Sequence, residues 1–173
     1  DSLLFEVFAG GRDFIVQACP IVDFADIGMG ARVSADVDAL IAGIGKEFGA
    51  ISILVNNAGI TRDQLLLRMS DDDWQAILDT NLSSVFRTSK AVLRGMMKAR
   101  GGRIINNGSI SAHVPRPFSA PYTATKGAVG NLTKGMAADW ARHGLQCNAL
   151  APGYFDTPLN AALVADETFS AWL

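Results

Sequence analysis

A tyrosine and a lysine stand four residues apart in Tyr122-Thr123-Ala124-Thr125-Lys126. In a helix, that spacing stacks the two side chains one turn apart on the same face. A phenol with an ordinary pKa of about 10 keeps its proton near neutrality. An ammonium beside it stabilises the phenolate and lowers that pKa, making the tyrosine a usable acid and base. The chemistry within reach is transfer of a proton onto or off a carbonyl oxygen. The same spacing also fits a solvated helix face, so the pair takes its meaning from the residues around it.

The elements that must position the pair read as follows. Residues 14–19 are a short apolar run with strand character, and the first ten residues read as the end of a helix closed by Gly10-Gly11. Residues 20–34 have no clear period. Val37, Leu40, Ile41, Ile44 and Phe48 recur at helical spacing and Gly49 ends the run; residues 51–55 are then a buried strand leading into Asn56-Asn57-Ala58-Gly59. Ser70 before Asp71-Asp72-Asp73 is a capped helix start, and that helix is expected to continue to about residue 100, where Gly101-Gly102 stops it. A strand over 103–107 ends in Gly108-Ser109, a loop with three prolines spans 111–121, and a small-residue-rich helix spans 122–142. A last strand over 145–150 precedes Ala151-Pro152-Gly153, and the residues from 161 onward are helical. Strands that are continuous apolar runs, alternating with helices, predict an α/β fold with a parallel sheet covered on both faces. Ligands of such sheets bind beyond the carboxyl ends of the strands, where Asn56–Gly59, Gly108-Ser109 and Pro152-Gly153 all fall.

These residues together resemble the short-chain dehydrogenases/reductases. The resemblance rests on Asn56-Asn57-Ala58-Gly59 after a strand, Asn81 within a helix, Ser109 after the next strand, Tyr122 and Lys126 thirteen residues on, and Pro152-Gly153 followed by Thr157. It implies a doubly wound, Rossmann-type sheet in a single dinucleotide-binding domain over 1–173, incomplete at both ends. It implies an NAD(P)-dependent oxidoreductase that interconverts an alcohol and a ketone by hydride transfer. Tyr122 would be the acid or base, Lys126 would lower its pKa and bond the cofactor ribose, and Ser109 would bond the substrate oxygen. Asn81 would hold a water linking Lys126 to solvent. Asn57, Ala58, Gly59, Tyr122, Lys126, Pro152, Gly153, Phe155 and Thr157 would face the cofactor, NADP or NAD. Plainer readings stand beside these: Asn56–Gly59 as an ordinary turn, Asn81 as a residue bonding its own backbone, Ser111 as a rival to Ser109, and His113 as a loop residue.

The glycine-rich cofactor turn of the family is absent from this sequence, and Gly28-Met29-Gly30 does not stand between a strand and a helix. The resemblance therefore leaves NADH against NADPH unread, and a chain of this length is expected to bind dinucleotide poorly. Residues 57–103 are similar to 3-oxoacyl-acyl-carrier-protein reductases and residues 122–173 to gluconate 5-dehydrogenases. The latter weigh more on substrate, because the region after Pro152-Gly153 shapes the family's substrate pocket. A non-catalytic relative is the third reading. The family's homodimers and homotetramers imply a homo-oligomer.

Bulk composition agrees with a globular domain: 49% hydrophobic, 18% charged, net charge −2 over 173 residues. No basic excess marks a nucleic-acid or anionic-membrane partner. Cys19 and Cys147, each among apolar residues, read as free thiols of a reducing, cytoplasmic compartment, with a disulfide left open. Neither His113 nor His143 has metal-ligand spacing.

Overall fold

The computed structural model describes residues 5–10, 13–18, 31–155 and 160–172. Its centre is a five-stranded sheet in the order β1 (Phe5–Gly10), β2 (Asp13–Ala18), β3 (Ile53–Asn56), β4 (Gly102–Asn107) and β5 (Leu145–Leu150). The strands β2 to β5 are parallel, as their apolar character predicts, and helices cross between them in the doubly wound, Rossmann-type manner. The edge strand β1 is antiparallel to β2, with Phe5 opposite Ala18 and Gly10 opposite Asp13. The expected helix end over the first ten residues is therefore a strand. Only two residues separate Gly10 from Asp13, the commonest hairpin length, and Gly10 ends a strand rather than a helix.

The helices are α1 (Ala31–Glu47), α2 (Asp71–Leu78), α3 (Ser84–Ala99), α4 (Ala120–Trp140), α5 (Ala161–Val164) and α6 (Glu167–Trp172). One core cluster joins Ile44 of α1, Val92 and Met96 of α3 and Met136 of α4 to Leu54, Ile104, Leu145 and Cys147 on one face of the sheet. The alternation is strict on β3 and β4: Leu54 and Ile104 are fully buried while Ile53, Val55 and Ile105 on the other face are only partly so. At about 25 cal/mol per Å² of apolar surface, each such buried aliphatic side chain contributes roughly 1.5–3 kcal/mol, which holds α1, α3 and α4 against this face.

The Ser70 start appears as read: its hydroxyl accepts the Asp73 N–H at 3.1 Å. The single helix expected from there to about residue 100 runs on to Ala99, with a wide π turn over Asp79–Ser83 joining α2 to α3. Its physical cause is side-chain competition for the backbone. Ser84 donates to the Thr80 carbonyl at 2.6 Å, Thr88 donates to the Ser84 carbonyl at 2.8 Å, and Asn81 is drawn sideways to another loop. The helix α3 ends with Arg100, not a glycine, in the left-handed conformation (φ 53°). Gly144 closes the turn after α4 at φ 78°; a Cβ there would lie 2.6 Å from the Arg100 carbonyl oxygen. No helix among the described residues is long and apolar enough to cross a membrane.

Under the carboxyl end of the sheet runs a buried polar chain. Asn56 donates to Asn106 Oδ1 at 2.8 Å and Asn106 donates to Thr133 Oγ1 at 2.8 Å. Thr88 donates to Asn56 Oδ1 at 2.6 Å. It ties α3, β3, β4 and α4 together one residue before each strand gives way to the loops above.

Candidate active site

The strand register brings the three loops together. Asn56 pairs with Asn106, and Asn107 pairs with Leu150. Asn57–Gly59, Gly108-Ser109 and Pro152-Gly153 thus leave the sheet side by side. Pro152 is fixed by its carbonyl, which accepts the Ile110 N–H at 2.9 Å. Below them, α4 enters with Pro121 in its first turn and presents Tyr122 and then Lys126.

Ser109 and Tyr122 stand together in the wall of a cavity of about 480 Å³, with Ser109 among the groups that act on the phenol. Ser109 stands in extended conformation before a short turn, Ile110–Ala112, and its Oγ also accepts the Ser111 N–H at 3.1 Å. Ser111 reaches the same cavity, but the serine that acts on the Tyr122 phenol is Ser109. Burial pushes the Tyr122 phenol above its usual range, opposed by the Ser109 hydroxyl; Asp63 and Tyr154 push it further up and Arg116 pulls it down. This departs from the expectation that Lys126 lowers it. The lysine Nζ lies 5.7 Å from the centre of the tyrosine ring, at its face rather than at its hydroxyl. It donates to the Asn107 carbonyl at 2.7 Å. Lys126 is itself 3% exposed, and burial lowers its pKa to about 8.

Asn81 is buried at the π turn, and both ends of its amide are engaged. Its Oδ1 accepts the Ile60 N–H at 2.8 Å, and its Nδ2 donates to the Ile60 carbonyl at 3.0 Å and to Thr125 Oγ1 at 3.3 Å. This side chain clamps the loop after β3 to α4. Gly59 sits where these groups converge: a Cβ there would lie 3.3 Å from Lys126 Nζ and 3.7 Å from Asn81 Oδ1. Glycine is what lets the lysine pass.

Two contributions escaped the sequence reading. Asn107 gives its carbonyl to Lys126 and its amide to Asn57 Oδ1 at 2.7 Å, fixing one candidate cofactor-facing residue to the lysine's anchor. A polar residue closing an apolar strand was the available signal. Asp63 and Arg116, which pair across the cavity mouth, are 53 positions apart and gave no signal as a pair. His113 lines a second cavity, beside Lys126 and Lys134, rather than the one holding Tyr122. Phe155 lines the first cavity and is 64% exposed; Thr157 lies outside the described residues.

The residues present fit the reactive half of a dinucleotide. Lys126 Nζ has three donors and one recorded acceptor, which leaves hydrogen bonds for ribose hydroxyls. Gly153 has nothing within 4 Å of where a Cβ would stand, so a flat ring meets no side chain there. Asn57, Ala58 and Gly59 flank the lysine from the other side.

A family model described as short chain dehydrogenase matches residues 21–168. A gluconate 5-dehydrogenase of Gluconobacter oxydans is 52% identical over 141 residues, 80% of this chain and 55% of that protein. A 3-oxoacyl-[acyl-carrier-protein] reductase of Vibrio cholerae is 50% identical over 137 residues, 79% of this chain and 56% of that protein. Among solved structures, a gluconate 5-dehydrogenase from Burkholderia cenocepacia in complex with NADP and tartrate is 53% identical, with a TM-score of 0.79 over 80% of this chain and 55% of that one. The chain spans about half the length of these relatives.

Proposed function

The chain belongs to the short-chain dehydrogenase family, and on that premise we propose that the whole protein is an NAD(P)-dependent oxidoreductase that interconverts a secondary alcohol and a ketone, with a sugar acid of the gluconate type as substrate. The observation that carries the reaction type is the meeting of Ser109 and Tyr122 in one cavity wall, with Lys126 over the tyrosine ring. A substrate carbonyl oxygen placed between the two hydroxyls accepts a hydrogen bond from Ser109 and the proton from Tyr122 Oη. Two fixed donors aimed at one oxygen stabilise the negative charge that grows there during reduction. Because the phenol is held above its usual range, it keeps the proton at neutral pH and is ready as an acid. A nicotinamide, when bound, supplies or accepts the hydride. Lys126, with Asn57, Ala58, Gly59, Pro152 and Gly153, would hold its ribose and ring, and Asn81 keeps the loop closed over the lysine.

The sugar-acid reading is supported by the relatives in Gluconobacter and Burkholderia, the second of which carries tartrate, itself a hydroxy acid. A second reading, reduction of a 3-oxoacyl thioester on an acyl-carrier protein, draws on the Vibrio relative. It also draws on the apolar lining of the cavity, where Ile110 is 40% and Phe155 64% exposed. The test is NADPH- or NADH-linked reduction of 5-ketogluconate and of acetoacetyl-CoA by the full-length protein. Faster turnover per molar of 5-ketogluconate is expected. A preference for the thioester selects the second reading, and reduction of neither refutes both.

A further inference from the structure

We propose that Arg116 and Asp63 form a two-ended clamp that selects polyhydroxy carboxylates: the guanidinium takes the substrate carboxylate and Asp63 accepts hydrogen bonds from the substrate hydroxyls. This rests on the oxidoreductase reading above and names the residues that would choose its substrate.

The two side chains come from different loops, Asp63 from the one after β3 and Arg116 from the proline-rich one before α4, and they pair through Arg116 Nη2 and Asp63 Oδ2. Both line the cavity that holds Ser109 and Tyr122, with side chains 19% and 24% exposed. Both charges are felt at the Tyr122 hydroxyl, in opposite directions, so they act at the reacting end of the cavity.

The loops that carry them are held in place independently of the ion pair. Gln64 N–H donates to the Phe118 carbonyl at 3.0 Å, and the Arg116 carbonyl accepts from Ser119 Oγ at 2.7 Å. Holding the loops is thus not the task that requires a charged pair. A surface ion pair of this kind contributes only about 0–1 kcal/mol to stability.

The donor count favours a ligand. A guanidinium has five N–H groups in a planar fork. Here Nη2 meets Asp63, and Nη1 makes one long contact with the Pro117 carbonyl at 3.4 Å. The rest of the fork suits the two oxygens of a carboxylate. Asp63 decides which anion. A dianionic phosphate would meet its repulsion, whereas a monoanion bearing hydroxyls gains an acceptor. A simple 3-oxoacyl chain offers neither a charge nor hydroxyls to this pair, and a site built to bond them disfavours a ligand that lacks them.

The test is isothermal calorimetry of the whole protein with saturating NADPH, which leaves the alcohol probes no hydride acceptor, using gluconate and its uncharged analogue sorbitol. The wild type should bind gluconate more tightly than sorbitol. Arg116→Gln should weaken gluconate at least tenfold and leave sorbitol unchanged. Asp63→Asn should do the reverse: it frees the guanidinium, tightens gluconate several-fold and weakens sorbitol. Equal affinity of the wild type for both probes overturns the clamp, as does an Arg116→Gln variant that keeps its gluconate affinity or loses both probes equally. Each of those results leaves the oxidoreductase reading standing if 5-ketogluconate is still reduced. Conversely, absence of turnover with a preserved gluconate preference refutes the reaction and keeps the clamp.

Discussion

Replacing Lys126 by methionine should stabilise the fold at neutral pH and lose that advantage as the pH rises. Lys126 is 3% exposed and its pKa falls from 10.5 to about 8 because burial penalises the ammonium. The folded state therefore carries fewer protons than the unfolded chain between pH 8 and 10.5. Stability from this group is fully present above about 10.5 and is lost as the pH falls through 8. At roughly 1.4 kcal/mol for each pH unit, the charged lysine costs the fold about 3 kcal/mol at pH 7. Methionine has similar bulk and no charge, but it abandons the hydrogen bond to the Asn107 carbonyl, worth about 1–1.5 kcal/mol. The net expectation is that Lys126→Met is about 2 kcal/mol more stable at pH 7. By pH 10 the lysine penalty is below about 1 kcal/mol, so the two proteins become equal or the wild type leads. Urea denaturation of both at pH 7, 8, 9 and 10 measures the gap, and groups common to both proteins cancel in it. A gap that does not change with pH, or a variant less stable than wild type at pH 7, refutes the account of a lysine held partly discharged by burial.

Tyr122→Phe should lower turnover by about 10²–10⁴ with little change in cofactor affinity; turnover near wild type would remove the tyrosine from the proton path. Since the Tyr122 pKa is raised, carbonyl reduction should stay flat through neutral pH while alcohol oxidation climbs into the alkaline range, measured as kcat profiles in the two directions. Phe118 holds φ 67° with its side chain 54% exposed. Phe118→Gly should raise the thermal midpoint by relieving about 1 kcal/mol of left-handed strain, and a lowered midpoint would show that the ring is needed there. Asn106→Leu should destabilise by about 2–4 kcal/mol in urea melts, because it strips partners from Asn56 and Thr133 inside the sheet; a near-neutral result would mean the buried chain repacks as an apolar core.

The sequence alone determined what depends on short-range pattern. Apolar runs and helical periods place β2 to β5 and the helices between them, because burial of one face dictates the spacing of apolar residues. The Ser70 cap is written in a hydroxyl followed by three acids. Ser109, Tyr122 and Lys126 were legible because their roles require a strand end and one helical turn, both visible as spacings. What only the tertiary structure decided depends on partners far apart in the chain. The π turn at Asp79–Ser83 follows from Asn81 reaching Ile60, 21 positions away, within what the local pattern reads as one regular helix. The antiparallel edge came from pairing between β1 and β2 that the glycines alone left ambiguous. The direction of the Tyr122 pKa was set by burial and by which atoms Lys126 faces, and a spacing of four residues fixes neither. Asn107 and the Asp63–Arg116 pair became functional candidates only when the sheet register and the loop closure brought them to the same cavity. Residue types and spacings thus pointed to the family and the proposed reaction, whereas the environment of each group, built from contacts that the linear order does not contain, decided how its charge and protons are held.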